Sequence, residues 1–185
     1  MDKTINVTIK GISPLLMNKP NMLEMEDKAK LKQFGKNILE QQFAEKQYLT
    51  DEGKLFTPDT HIKGSIIEAA KNIKVKGKGK STYSKIVGYA LLVSPAQILH
   101  KKTKLEKYVV LAVNPMTHGR NAVCRPMIKD WELSFQVEYD ADELPFEVVK
   151  ECFDYAGKRV GIGDWRPQKK GTFGRFIVTE FKEAK

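Results

Sequence analysis

The sequence predicts an α+β fold of the ferredoxin-like or RRM-like kind: an antiparallel sheet with two helices on one face, an inserted helix after the first strand and an inserted β-rich lobe. Three observations predict it. Ile5, Val7 and Ile9 alternate with polar Thr4, Asn6, Thr8 and Lys10, the period of a strand with one buried face. Two later segments carry apolar residues at helical spacing: Ile62, Ile66, Ala69, Ala70 and Ile73 in one, Phe146, Val149, Phe153 and Ala156 in the other. Strand patterns fall between and after them, so the regular elements run strand, helix, strand, strand, helix, strand. A chain of 185 residues can bury about 70% of its unfolded surface, and the reading is a single domain over 1–185 with insertions at roughly 20–57 and 74–121.

Taken in order, Gly11 and Pro14 end or bend the first strand. Leu31, Phe34, Ile38 and Phe43 predict an amphipathic helix between Leu23 and Gln47. Asp51-Glu52-Gly53 predicts a turn, and Pro58-Asp59-Thr60 a stop followed by a helix N-cap. Lys74 to Lys85, KVKGKGKSTYSK, has neither period and predicts a mobile, positive loop. Ile86 to Val113 reads as the β-rich lobe, with ALLV and YVVLAV as strands. Val123 to Ile128 and Trp131 to Tyr139 flank Lys129-Asp130 and read as a hairpin, with Pro126 marking an edge or a bulge. Pro145 suits the first turn of the last helix and Gly157 its C-terminal cap, before a final strand from Arg175 to Phe181.

The formal net charge of +9 favours an anionic partner. The positive residues concentrate in Lys71 to Lys85 and Lys158 to Arg175, which can line one groove if the fold joins them. Cys124 and Cys152 lack CxxC spacing and paired histidines, so they read as buried free thiols. No apolar run reaches membrane-spanning length and Met1 leads into a strand pattern, which predicts a cytoplasmic protein and no membrane partner.

The most informative stretch joins the last helix to the last strand: AGKRVGIGDWRPQKKGTFGRFIVTEF. Gly161, Gly163, Gly171 and Gly174 permit positive φ or close backbone approach. Arg159, Arg166, Lys169, Lys170 and Arg175 supply charge, and Trp165 and Phe173 are interleaved. Cations meet phosphates, and an aromatic face stacks on an unpaired base, so the combination suits single-stranded nucleic acid. Lys63, Lys76, Lys78, Lys80, Arg120 and Arg125 complete the candidate binding set.

Three segments, GISPLLM, LFTPDTHIKGSIIEAAK and GIGDWRPQKKGTFGRF, together resemble the RAMP superfamily of CRISPR-associated proteins. In the second, Phe56, Pro58, Lys63 and Gly64 are similar to that family's strand, turn and helix start; in the third, the four loop glycines are similar to its C-terminal glycine-rich loop. The resemblance implies a modified RRM fold that holds RNA, like the backbone subunits that polymerise along a guide RNA, in a divergent or stand-alone member. It implies self-association.

Catalytic signals are weaker. Gly79-Lys80-Ser81 lacks the first glycine of a P-loop, where Lys74 stands, and Gly161-x-Gly163 is followed by Arg166 where a dinucleotide fingerprint needs glycine. His61, His100 and His118 show no ligand spacing, so no metal and no cofactor are expected. His61 and His118 remain candidates for metal-independent RNA cleavage, the histidine role resting on related RNA-processing RAMP proteins, and Asp59 could hold a metal for backbone cleavage or simply cap its helix. Asp164 is expected to pair with Arg159 or Arg166. The leading expectation is a binder of single-stranded RNA, with an endoribonuclease of the same fold and a single-stranded DNA-binding protein as alternatives.

Overall fold

A computed structural model describes residues 1–20, 37–101, 104–113 and 118–184. Strand β1 (Asp2–Gly11) lies between β8 (Glu132–Asp140) and β9 (Phe176–Glu183), with β4 (Leu91–Ser94) outside β8, giving a four-stranded antiparallel sheet of order β4-β8-β1-β9. That is the ferredoxin-like strand order. The register sets Ile5 against Val137, Val7 against Phe135 and Ile9 against Leu133, all buried. On this apolar face lie α2 (Asp59–Ala70), which buries Ile62 and Ile66, and α4 (Phe146–Tyr155), whose Phe153 stacks on Phe135 with centroids 6.1 Å apart. Each fully buried branched or aromatic side chain there is worth about 1.5–3 kcal/mol, so this seam holds the sheet together. The opposite face is polar and satisfies itself: Thr8 bonds Ser134 and Glu180, and Gln136 donates to Asn6.

Several expectations are corrected. Val123–Ile128 does not pair with the strand that follows it. It belongs to β7 (Arg120–Ile128), which lies between β6 (Glu106–Val113) and the two-residue β2 (Leu15–Leu16) in a second sheet. Pro126 lacks the N–H that a ladder in the main sheet would need, and Trp131 turns the chain inward: its Nε1 donates to Ser13 O at 2.8 Å. The second strand of the ferredoxin pattern is instead β4, where Leu91 and Val93 are buried and Leu92 and Ser94 face out. Helix α3 (Ser84–Ala90) takes in the end of the predicted Lys74–Lys85 loop and the start of the predicted β-rich lobe. The predicted helix from Leu23 to Gln47 is observed as α1 (Asn37–Glu45), and its earlier part lies outside the described residues. Helix α1 packs on β7, where Gln42 Oε1 accepts from the Cys124 N–H at 2.8 Å.

A small ladder of β3 (Phe56–Pro58) and β5 (Gln97–Leu99) leads into α2. The Asp51-Glu52-Gly53 turn is present, closed by Gly53 N–H to Thr50 O at 2.9 Å. Neither Asp59 nor Thr60 caps α2: Asp59 is already its first residue, Pro58 precedes it, and no side chain bonds to the helix start. Of Lys74 to Lys85, Ser84 and Lys85 belong to α3, and the stretch before them is a turn-rich loop bridged between Lys74 and Thr82. Val75 N–H to Ser81 O and Ser81 N–H to Lys78 O close it into a tight hairpin. Among the described residues no helix is long and apolar enough to cross a membrane, and Cys124 and Cys152 are buried free thiols.

Candidate nucleic-acid interface

The glycine-rich loop begins where α4 runs into a π-helical turn, Ala156–Val160. Its left-handed end is Gly161, with φ 73°, not Gly157, which is buried under Phe176. At Gly174, φ is 68° and an added Cβ would lie 1.8 Å from Ile162 O, so the two legs of the loop touch; Ile162 N–H donates to Gly174 O at 3.0 Å. At Gly163 a Cβ would meet Leu15 and Leu16, and the next residue, Asp164, donates its N–H to Leu16 O at 3.0 Å. These glycines fasten the loop to β2. The fold itself demands them.

Asp164 does not pair with Arg159 or Arg166. Its Oδ2 accepts from Arg125 Nε at 2.9 Å and its Oδ1 from the Trp165 N–H at 3.0 Å, so Arg125 clamps the loop onto β7. Trp165 is half-buried with φ 45° and meets the Tyr108 ring edge-to-face, with centroids 5.8 Å apart. Phe173 meets the same Tyr108 ring at 5.1 Å. The loop aromatics are therefore anchored on β6.

Between the loop and α2 runs a groove of about 260 Å³. Thr60, His61, Gly64 and Glu68 line its helix side, and Gly163, Arg166 and Gln168 its loop side. Ser65 Oγ donates to Gly161 O at 2.9 Å and ties the two walls together. Arg166 donates from Nε to Gln168 Oε1 at 2.9 Å and from Nη1 to Gly163 O at 3.0 Å, which fixes the guanidinium plane at the groove mouth. Those bonds use two of its five N–H groups. Burial first, and then the charge of Arg166, holds the His61 pKa below its ordinary value, while Asp59 pulls weakly the other way. His61 Nε2 lies 3.4 Å from the Tyr48 hydroxyl. A depressed histidine is neutral at pH 7.

The remaining predicted residues are spread more widely. Lys63 is half-buried on a face of α2 turned away from the groove-lining residues, whereas Arg159, Lys169, Lys170 and Arg175 are exposed around the loop. Gly171 is crowded against the Trp165 backbone, again a packing requirement. Lys76, Lys78 and Lys80 are exposed beyond the C-terminal end of α2. Thr60 and the last residue of α2, Ala70, are ~15 Å apart along the helix at 1.5 Å per residue. The glycine loop runs beside the middle of α2, where Ser65 bonds Gly161, and the lysine segment follows the C-terminal end of the same helix. Arg120 and His118 are exposed at the outer end of the β6–β7 hairpin, where Arg120 faces Val113. Among the described residues no group of three His, Cys, Asp or Glu side chains could hold a metal.

Sequence reasoning missed Tyr48, Ser65, Tyr108 and Gln168. Ser65 follows His61 by one helical turn and was open to discovery by spacing; Tyr48 and Tyr108 come from distant segments and carry no local signal.

Fold and groove define a class: a ferredoxin-like α+β protein with a polar groove, lined by one arginine, beside its C-terminal glycine loop. Among solved structures the chain is similar to a chain of the Type III-B Cmr-beta structure, determined by cryo-EM bound to cognate target RNA, with a TM-score of 0.65 and 12% identity. The match covers all of this chain and 61% of that one, so this chain spans less than two thirds of its neighbour's length. At that identity the likeness is one of fold. No protein-family model and no curated protein sequence matches the chain.

Proposed function

We propose that the chain binds single-stranded RNA, as a RAMP-type protein resembling the guide-RNA-binding backbone subunits of CRISPR effectors. The observation that carries this reading is the groove between α2 and the glycine loop, lined by Arg166, with Lys169, Lys170 and Arg175 exposed on the same loop. The acidic side chain of the loop, Asp164, is paired with Arg125. The RNA-bound state of the structural neighbour supports the same choice of ligand. The outer face of the main sheet, where an RRM stacks bases, is polar and internally bonded, which favours the groove over the sheet.

Binding is favoured over cleavage because His61 has only a long contact to Tyr48 and no carboxylate bonded to it among the described residues. Side-by-side assembly on RNA is part of the reading, and the outward row Val109, Leu111 and Val113 of β6, each about half exposed or more, supports it. Gel shifts with matched RNA, single-stranded DNA and duplexes, followed by product analysis of the same lanes, test the reading. RNA shifted intact and in preference to the others supports it. Equal or better DNA binding, or cleaved RNA, selects an alternative. Mass measured on a long RNA tests assembly, and a strict one-to-one complex at saturating protein would remove it.

A further inference from the structure

Glycine is unfavourable inside a helix, second only to proline, because it loses the most backbone freedom and packs nothing. Two glycines nonetheless lie inside helices of this chain with open space where a Cβ would stand, Gly64 in α2 and Gly88 in α3, and of the two only Gly64 lines the groove. The loop glycines are explained by the fold, since a Cβ at Gly163, Gly171 or Gly174 would collide with this chain's own atoms. Gly64 is different. It sits in the middle of α2, is exposed, and a Cβ built there meets nothing within 4 Å.

Its position is specific. Thr60, Gly64 and Glu68 follow one another at i, i+4 spacing along the face of α2 that forms the groove floor, opposite Arg166 and Gln168. The Glu68 carboxylate, the one negative charge on that face, is paired with Lys71. Beyond Lys71 begins the hairpin with Lys76, Lys78 and Lys80. The route from Arg166 to the lysine hairpin therefore passes directly over the bare backbone at Gly64.

We infer that Gly64 is a ligand-approach position, at which the sugar of one RNA nucleotide lies in van der Waals contact with the α2 backbone while the adjoining phosphate is held by Arg166. This rests on the RNA-binding reading and deepens it. A side chain at position 64 would lift the strand off the helix and separate the sugar from the floor without touching the protein itself. The helix would be better formed, and the ligand would be worse held.

The experiment compares Gly64→Ala, Gly64→Leu and Arg166→Ala with the unmodified protein, measuring thermal melting and affinity for a fluorescent oligo-uridine strand. Both Gly64 variants are expected to melt at or above the parent temperature. Gly64→Leu should bind about tenfold more weakly, equivalent to ~1.4 kcal/mol, and Gly64→Ala less severely affected. Parent-like affinity in Gly64→Leu beside a defect in Arg166→Ala overturns the inference and leaves the RNA reading standing. Lowered melting temperatures in both Gly64 variants make the glycine a requirement of the fold and also overturn it. A parent protein that does not bind the strand removes both.

Discussion

Arg125 Nε and Asp164 Oδ2, 2.9 Å apart, join the central strand of the second sheet to the glycine-rich loop. The pair is mostly shielded from solvent, with side-chain exposures of 16% and 22%, so it is stronger than a surface ion pair and costly to break on one side only. Arg125→Met or Asp164→Asn is expected to lower unfolding stability by ~1–3 kcal/mol, as for a hydrogen bond to a charged group left half-made. Denaturant titration of both single variants and the double variant measures the coupling. Additive losses would mean that the two side chains act independently.

The aromatic anchor gives a second expectation. Trp165 and Phe173 both lean on Tyr108 from the loop side. A double-mutant cycle of Trp165→Ala and Tyr108→Ala should return a coupling of ~0.5–1.5 kcal/mol in stability, the range for edge-to-face pairs. Zero coupling, with RNA affinity lost in Trp165→Ala, would instead make this tryptophan a base-stacking residue.

The apolar framework was legible where one face of an element is buried. Ile5, Val7 and Ile9 alternate cleanly, and Ile62, Ile66 and Ala69 recur at helical spacing, because burial imposes those periods. Strand pairing was not legible. Lys129-Asp130 is a turn, but a local turn signal does not say whether the chain continues in the same sheet, and here Trp131 redirects it. Leu91 to Ser94 was hard to place because four residues beside a proline carry little period of their own. At the site, charge and glycine content located the loop, while the partner of Asp164 depended on Arg125 arriving from a strand 39 residues away.

A third expectation concerns pH. His100 is buried; its Nε2 pairs with Thr57 Oγ1 at 2.9 Å and its Nδ1 has no hydrogen-bond partner among the described residues. Burial pushes its pKa down from 6.5 to about 4. Below pH 6.5 the unfolded chain takes a proton that the folded one refuses, so stability falls as pH drops from 6.5 and levels off near 4. The loss approaches ~3 kcal/mol at 1.36 kcal/mol per pH unit. His61, also depressed, adds to the same trend. In His100→Gln the part due to His100 should vanish from stability measured between pH 4 and pH 7; an unchanged pH profile would mean that His100 does not titrate with folding.

RNA binding at the groove is tested most directly by the salt dependence of affinity for a single strand. Each cation that neutralises a phosphate contributes ~0.7 to the slope of log K against log salt, so replacing Arg166, Lys169 and Lys170 together by Gln should flatten the slope by ~2 units. Replacing Lys3, Lys54 and Lys182, which are paired with Glu183, Glu52 and Glu180 outside the groove, should leave it unchanged. Equal slopes for all three proteins would contradict a nucleic-acid site between α2 and the glycine loop.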